Sequence, residues 1–269
     1  MSKDRFILLD ADASRPSRTP LPPSVTVKAG ADDTEGRFSL LEIRGEGAAL
    51  LHLHDTFDEF VHALHAVYVL EGELGVEVDG TTHRLTSGMS ALLPCGIAHT
   101  LRSLSDAPVH VLQLSAPGDK GNAVVLDRGE ARPGRVPVPP AFAVKARADD
   151  TEGRFSLLEV TVAQAIPRHV HHEAEEGVYV LDGELTVEFD DREHTATRGQ
   201  FVLLPHGVPH ALRPGSGRPP KVIQISAPGG WECFVEDLIE ARAEVGAGGR
   251  LDPAKLNAVA AKYQITYEE

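Results

Sequence analysis

Hydrophobic and polar residues alternate in short runs along most of the chain. The triplets VEV at 76–78 and VEF at 187–189 place an acidic residue between two apolar ones, as in a half-buried strand. Glycine, aspartate and proline separate the runs, and the segments LGVEVDGTTH and LTVEFDDREH predict hairpins that turn at Asp-Gly or Asp-Asp. Many short strands at regular spacing predict an all-β sandwich or closed barrel.

The pattern changes after Gly230. In WECFVEDLIEARAEV, the pairs Phe234/Leu238 and Val235/Ile239 follow helical spacing. Asp252-Pro253 then provides an N-cap followed by proline at the first helical position, which predicts a second helix over PAKLNAVAAKY. We expect both helices to pack on a barrel or at a dimer interface.

The sequence contains a long internal repeat. ADDTEGRFSLLE occurs at 31–42 and again, unchanged, at 148–159. YVLEGEL, ALLPCGIAHTLR and VLQLSAPG of the first half correspond to YVLDGEL, VLLPHGVPHALR and VIQISAPG of the second. The offset is 117 residues up to His52/His169 and 111 residues from Tyr68/Tyr179 onward, so the first repeat carries six extra residues in between.

The repeat predicts two tandem barrels. We place the first at 25–119 and the second at 141–229. An extended N-terminal arm (1–24), a proline-containing linker with one added strand (120–140) and C-terminal helices (230–269) complete the expected organisation.

Composition restricts the possible partners. Hydrophobic residues make up 42% of the 269 residues and charged residues 25%, which is a globular composition. The formal net charge of −14 argues against binding nucleic acid or an anionic membrane, because both require clustered Lys and Arg.

The termini and cysteines predict a cytoplasmic protein. The N-terminus MSKDRFILLDADAS has an apolar run of only four residues followed by acidic ones, unlike a secretory signal. No apolar stretch approaches the roughly 20 residues of a membrane span. Cys95 and Cys233 lie in unrelated contexts, which favours reduced thiols.

Four side chains of the second repeat can converge on one point. His169 and His171 are two residues apart and so point to one side of a strand. Glu176 precedes the next strand, and His210 follows a Pro-x-Gly turn. Three imidazoles and one carboxylate suit Fe, Ni, Mn, Zn or Cu better than Ca or Mg, and would leave about two coordination positions open.

These residues resemble the cupin family's two motifs, HxHx₄Ex₆G and Gx₅PxGx₂H. The second repeat matches both in full: the first motif ends at Gly183, and the second runs from Gly199 through Pro205 and Gly207 to His210. Two family positions differ, with Ala163 in place of a glycine and Pro214 in place of an asparagine. The resemblance implies two jelly-roll barrels and one divalent transition metal in the second. The alternative is a cupin that has lost its metal and keeps the histidines as barrel filling.

The first repeat matches the ligand pattern less completely. His52, His54 and His99 correspond to the three histidines, and the first repeat is therefore a candidate for a second ion. The fourth ligand is ambiguous: counting from the histidines gives Glu59, and counting back from Tyr68 gives His65. The family pattern slightly favours Glu59, whereas proximity to the strand favours His65.

The whole-chain pattern is most similar to bacterial quercetin 2,3-dioxygenase-like bicupins, through phrases such as YVLDGEL. That similarity implies a dioxygenase acting on a small enol, hydroxy-ketone or flavonol-like substrate, with O₂ as co-substrate and Glu176 as ligand and general base. We expect Val180, Phe201 and Leu203 to wall the site, and Glu175 to lie on a solvated edge. A metal-dependent isomerase or decarboxylase and a non-catalytic small-molecule-binding bicupin are the alternatives. Both a monomer and a homodimer fit the sequence.

Overall fold

A computed structural model describes residues 3–16, 21–45, 63–118, 121–241, 246–247, 250–251 and 253–268. The chain forms two compact units. The first comprises Asp12–Ala131 and Asp149–Arg154; the second comprises Met1–Ala11, Arg132–Ala148 and Phe155–Glu269. Strands dominate both units, which confirms the predicted all-β class. In the described part of the chain, no helix has the length and hydrophobicity needed to span a bilayer.

The second unit, called barrel two below, consists of a six-stranded and a five-stranded antiparallel sheet. Its strands are β1 (Ile7–Leu9), β11 (Phe142–Ala146), β12 (Ser156–Thr161), β13 (Ile166–His171), β14 (Glu175–Asp182), β15 (Glu184–Phe189), β16 (Arg192–Thr197), β17 (Phe201–Leu204), β18 (His210–Pro214), β19 (Lys221–Ala227) and β22 (Ile265–Tyr267). The sheet orders are β1-β17-β14-β19-β12-β11 and β16-β15-β18-β13-β22. The strand β1 comes from the N-terminal arm and pairs with β17.

The first unit, called barrel one, repeats this plan. Its strands are β2 (Val25–Ala29), β3 (Ser39–Gly45), β4 (Ala63–Glu71), β5 (Glu73–Val78), β6 (Thr81–Thr86), β7 (Ser90–Leu93), β8 (His99–Ser103), β9 (Val109–Pro117) and β10 (Val124–Leu126). The described strands form sheets in the orders β10-β7-β4-β9-β3-β2 and β6-β5-β8. The strand β10 lies in the segment predicted as the linker and pairs with β7.

Equivalent residues build the two cores. The inward residues of barrel one include Val67, Val69, Leu74, Val76 and Leu85, and those of barrel two include Val178, Val180, Leu185, Val187 and Ala196. Each pair is 111 residues apart, so the alternation seen in the sequence places apolar side chains at equivalent positions inside both barrels.

In the described residues of the tail, the structure contains the two predicted helices and three short strands that the sequence did not predict. The helices are α1 (Trp231–Glu240) and α2 (Pro253–Ala260), and a 3₁₀ turn (Ala261–Tyr263) follows α2. The strand β22 then pairs antiparallel with β13. A short hairpin of β20 (Gly246–Ala247) and β21 (Arg250–Leu251) lies between the helices.

Buried acidic side chains attach α1 to barrel two. Glu232, 1% exposed, accepts hydrogen bonds from the backbone N–H of Ala148 (2.7 Å) and from the hydroxyl of Ser156. Glu236, also 1% exposed, forms an ion pair with Arg147 at 2.8 Å. A buried carboxylate is stable only when it is bonded in this way, so these contacts fix the helix at its place on the barrel.

Candidate metal centre

Three strands bring the four predicted ligands of the second repeat together. His169 and His171 lie on the inward face of β13, Glu176 lies near the start of β14 and His210 is the first residue of β18. The strand register places His169 opposite His210. All four residues are 3% exposed or less.

The Pro-x-Gly turn fixes the start of β18. Gly207 adopts a positive φ of 74°, a conformation that side-chain-bearing residues rarely adopt. Its N–H donates to the carbonyl of His171 at 2.7 Å. This bond ties the turn to the ligand strand, so that His210 enters the barrel beside His169.

The ligand atoms are close enough to share one ion. One nitrogen or oxygen from each of the four residues lies within 4.8 Å of the others. The Nε2 atoms of His169 and His171 are 3.1 Å apart, and the Oε2 of Glu176 lies 3.2 Å from the Nε2 of His210 and 3.4 Å from that of His171.

Backbone contacts define which ring nitrogens face the centre. The Nδ1 of His169 lies 2.8 Å from the carbonyl of Pro167, and the Nδ1 of His210 lies 2.9 Å from the carbonyl of Val208. A carbonyl accepts only, so each Nδ1 must carry the proton and each Nε2 is left with a lone pair. The lone pair of His210 then faces a carboxylate oxygen, and that of His169 faces another imidazole.

Such a set of converging lone pairs is stable when a proton or a cation lies between them. Burial lowers the pKa of His169 well below its ordinary 6.5, and the neighbouring His210 and His171 lower it further. Burial also lowers the pKa of His171. Both rings therefore resist protonation at neutral pH, and the donor set fits a metal ion held by imidazole nitrogens and one carboxylate.

Glu176 supplies the negative charge. Burial alone would raise the pKa of its carboxyl, but contacts with His171 and His210 together bring it well below its ordinary 4.5. Its second oxygen, Oε1, lies 3.5 Å from the Nε2 of Gln224. Gln224 thus points into the barrel, while its own Oε1 is buried with no hydrogen-bond partner among the described residues.

The predicted wall of the site is only partly correct. Val180 faces the core together with Val202 and Leu204. The predicted wall residues Phe201 and Leu203 alternate with these two along β17 and therefore point to the opposite face of the sheet. The strand β17 (FVLL) is entirely apolar, so no polar residue in the sequence indicates which of its side chains face away from the barrel interior.

The prediction for Glu175 is wrong. Its side chain is fully buried and accepts from the Nη1 of Arg5 at 2.8 Å and lies 2.6 Å from the Nδ1 of His206. The arginine comes from the N-terminal arm, a contact that local sequence could not indicate. Glu175, which directly precedes the ligand Glu176, thus ties the N-terminal arm to barrel two.

Two cavities border the site. A polar pocket of about 180 Å³ includes His171, Ser226, Lys262 and Gln264 in its wall. A larger apolar groove of about 690 Å³ is lined by α1, the β12–β13 connection and Tyr267. Trp231 belongs to the wall of both. The polar pocket reaches a ligand directly, whereas the groove reaches the site through Tyr267, whose ring stacks on His169.

Barrel one places a histidine where barrel two has its carboxylate. His65 pairs in register with Leu93 and Ser115, as Glu176 pairs with Leu204 and Ser226. It is buried, and its Nδ1 lies 2.8 Å from the hydroxyl of Ser115. The predicted candidates His52, His54 and Glu59 lie outside the described residues.

His99 retains the ring orientation of its counterpart. Its Nδ1 lies 2.8 Å from the carbonyl of Ile97, as the Nδ1 of His210 does from that of Val208. The His65 and His99 rings are 6.1 Å apart between centroids. Two of the candidate residues of barrel one therefore share one region of its interior.

The profile of the cupin domain family matches the chain twice, at residues 42–115 and 156–225, which together exceed half of its length. Quercetin 2,3-dioxygenase of Bacillus subtilis is 37% identical over 62 residues, which is 23% of this chain and 18% of that protein. Protein SchB of Streptomyces halstedii is 34% identical over 73 residues, or 27% of this chain and 53% of that protein. The chain thus spans about half or less of the length of these relatives.

Solved structures share the fold at low sequence identity. Protein Ylba from E. coli superposes with a TM-score of 0.61 at 12% identity, over 82% of this chain and 90% of that chain. AerE from Microcystis aeruginosa gives 0.55 at 16% identity, over 80% and 97%. The coconut allergen cocosin gives 0.52 at 11%, over 91% and 94%. Together with the repeated motif and the double match to the domain profile, these likenesses establish that the chain belongs to the cupin family and carries two cupin domains in tandem.

Proposed function

We propose that this protein is a metal-dependent enzyme whose second barrel holds one divalent transition metal, and that it acts as a dioxygenase on a small enol or hydroxy-ketone. The observation that carries the proposal is the convergence of four buried ligand atoms within 4.8 Å, with the Nε2 lone pairs of His169 and His210 facing inward. Buried acceptor atoms that face one another are costly unless a proton or an ion lies between them.

His169, His171, His210 and Glu176 would hold the ion. When bound, it supplies Lewis acidity and, for iron, copper, nickel or manganese, a centre at which O₂ and a chelated substrate can meet. The rest of the chemistry falls to the surrounding side chains. The walls formed by Val180, Val202 and Leu204 exclude water from the site.

Glu176 also has an oxygen available for proton transfer. Its Oε2 faces His171 and His210, while its Oε1 faces Gln224. Because the pKa of the carboxyl is held low, it is ionised at neutral pH and Oε1 can accept the proton of an enol. The unpaired Oε1 of Gln224 can accept a second hydrogen bond from the substrate.

Two features support the oxidative reaction and a small substrate. The local identity of 37% with a quercetin 2,3-dioxygenase favours a dioxygenase reaction over a non-oxidative one. The pocket that includes His171 has a volume of about 180 Å³, which favours a compact substrate over a multi-ring one.

The test begins with elemental analysis of protein purified without chelators. Metal-loaded protein would then be supplied with β-diketones, hydroxy-ketones and a flavonol while O₂ consumption is recorded, with Glu176→Gln as the matched inactive variant. O₂ uptake that the variant loses supports the proposal. Turnover that continues without O₂ indicates an isomerase or decarboxylase, metal binding without turnover indicates a binding protein, and failure to bind any transition metal overturns the proposal.

A further inference from the structure

The C-terminal strand forms part of the metal centre's wall. Residues His169, Val170 and His171 of β13 pair with Tyr267, Thr266 and Ile265 of β22. Flanking hydrogen bonds extend the ladder: the N–H of His172 donates to Gln264 at 2.8 Å, and that of Glu268 donates to Arg168 at 2.9 Å. The strand β13, which carries two of the ligands, therefore has β22 of the tail as its neighbour at the edge of the sheet.

The ring of Tyr267 lies against a ligand. Its centroid is 5.1 Å from that of His169, and the two planes meet at 23°. Register partners on neighbouring strands point to the same face, so both rings enter the barrel side by side. Tyr267 also meets the ring of Phe234 of α1, with centroids 6.3 Å apart and an angle of 27° between the planes. Tyr267 is 6% exposed and thus occupies a fixed place between the helix and the imidazole.

A side-chain clamp fixes the backbone of Tyr267. Its N–H donates to the Oδ1 of Asn257 at 2.6 Å, and its carbonyl accepts from the Nδ2 of Asn257 at 2.9 Å. Because both backbone groups of Tyr267 bond Asn257, Tyr267 and His169 form a non-hydrogen-bonded pair of the antiparallel ladder. Side chains lie closest together in pairs of this kind. The helix α2 therefore sets the position of the ring that touches the ligand.

We propose that Tyr267 is a positioning residue of the metal centre, which holds the imidazole of His169 in the orientation that directs its Nε2 at the ion. The stacked ring blocks rotation of the imidazole on one face, while the carbonyl of Pro167 fixes its Nδ1. Partners that orient a ligand commonly change metal affinity by about 10- to 100-fold when removed. The inference rests on the metal site of the proposed function.

The experiment measures Co²⁺ binding to the full chain by competition with a chelator, together with the visible spectrum of the bound ion. Tyr267→Leu removes the stacked ring, Tyr267→Phe keeps it, and Asn257→Ala releases the backbone clamp. The matched control is Tyr263→Leu, because Tyr263 packs on Phe234 in the same tail but is not a partner of His169. Far-UV circular dichroism and thermal unfolding of the metal-free variants establish whether each is folded.

We expect Tyr267→Leu to bind Co²⁺ about tenfold more weakly, with an altered visible spectrum, and Asn257→Ala to weaken binding in the same direction. Tyr267→Phe should remain within about twofold of the parent, as should Tyr263→Leu. If Tyr267→Leu is unfolded, the Co²⁺ affinities of Asn257→Ala and Tyr267→Phe test the inference in its place. Equal affinities in the parent and in Asn257→Ala or Tyr267→Leu, or equal losses in Tyr263→Leu, overturn the inference. A parent protein that binds no Co²⁺ overturns the metal site itself, which is a distinguishable result.

Discussion

The two barrels have equivalent apolar cores, but at one position of the described interiors a histidine in barrel one replaces a carboxylate in barrel two. Val67, Val69 and Leu93 of barrel one correspond to Val178, Val180 and Leu204 of barrel two. Two residues before the first of these valines, barrel one has His65 and barrel two has Glu176. The first bonds a serine hydroxyl, and the second faces two imidazoles. The same framework therefore holds either an imidazole or a carboxylate at this position.

The difference shows that packing and chemistry are specified separately. Barrel packing depends on alternation shared by many positions, so the fold persists when one of them changes, although its stability falls. The charge available to a bound cation in barrel two depends on a single residue. Matched substitutions at equivalent positions can therefore test each property by itself.

Paired core truncations should have the largest effect on stability. Leu74 and Leu185 are equivalent and fully buried, so replacing either with alanine should cost about 3 kcal/mol of unfolding free energy. Trp231, the only tryptophan, packs on the core of barrel two. Tryptophan fluorescence during urea unfolding should therefore report Leu185→Ala strongly and Leu74→Ala weakly, whereas circular dichroism should report both. Equal shifts of the fluorescence midpoint would contradict the separation of the two cores.

Glu176→His converts barrel two to the side chain of barrel one. Loss of the only anionic ligand should weaken transition-metal binding by about 100-fold, equal to about 2.7 kcal/mol, because no ligand charge then balances the dication. His65→Gln is the matched control and should leave the tightest binding event unchanged. Isothermal titration with Co²⁺ or Ni²⁺ measures both. The comparison fails if His65→Gln removes the tightest site and Glu176→His does not.

The buried histidines predict acid sensitivity of the metal-free protein. The folded-state pKa values of His169 and His171 are lowered, so below pH 6.5 the unfolded chain binds protons that the folded chain does not. Stability should fall by about 2 kcal/mol from pH 6.5 to 5.5, since each such histidine contributes up to about 1.4 kcal/mol per pH unit. Glu176, with its lowered pKa, adds a further loss below pH 4.5 in the same direction.

Urea unfolding of chelator-treated protein at several pH values measures this dependence. His169→Gln should reduce the slope by about half, because only one of the two buried imidazoles then remains. An unchanged slope in His169→Gln would mean that the ring is protonated in the folded state.

Alternation and turn residues were sufficient to predict the barrels, because short apolar runs and Gly or Asp turns are local signals. The spacing of His169, His171, Glu176 and His210 likewise predicted which residues meet, since period two on a strand and a Pro-x-Gly turn fix their faces. Where both signals were weak, prediction failed. The strand FVLL is apolar throughout, so the sequence did not indicate that Phe201 and Leu203 face away from the site. The six-residue insertion in the first repeat left Glu59 and His65 as alternative fourth ligands.

Contacts made by distant segments were not predictable. Tyr267 reaches His169 only because α2 and β22 return to the edge of β13, and ITY carries no sign of that pairing. Arg5 reaches Glu175 from the other terminus for the same reason. Both depend on tertiary placement of chain ends, for which neither periodicity nor motif spacing provides evidence.

The smallest expected effects distinguish the two inward glutamines. Gln113 and Gln224 each bury an Oε1 without a partner among the described residues, but only Gln224 lies near a ligand, with its Nε2 3.5 Å from Glu176. Gln113→Met should therefore change stability by less than about 1 kcal/mol, or increase it, because an unsatisfied buried carbonyl is removed. Gln224→Met should have a similar effect on stability but weaken metal binding a few-fold, about 1 kcal/mol, since a long hydrogen bond to the carboxylate is lost.

Urea midpoints and Co²⁺ titrations of the two variants measure these differences. If both substitutions left metal affinity unchanged, Gln224 would be a packing residue like Gln113, and orientation of Glu176 would depend on the histidines alone.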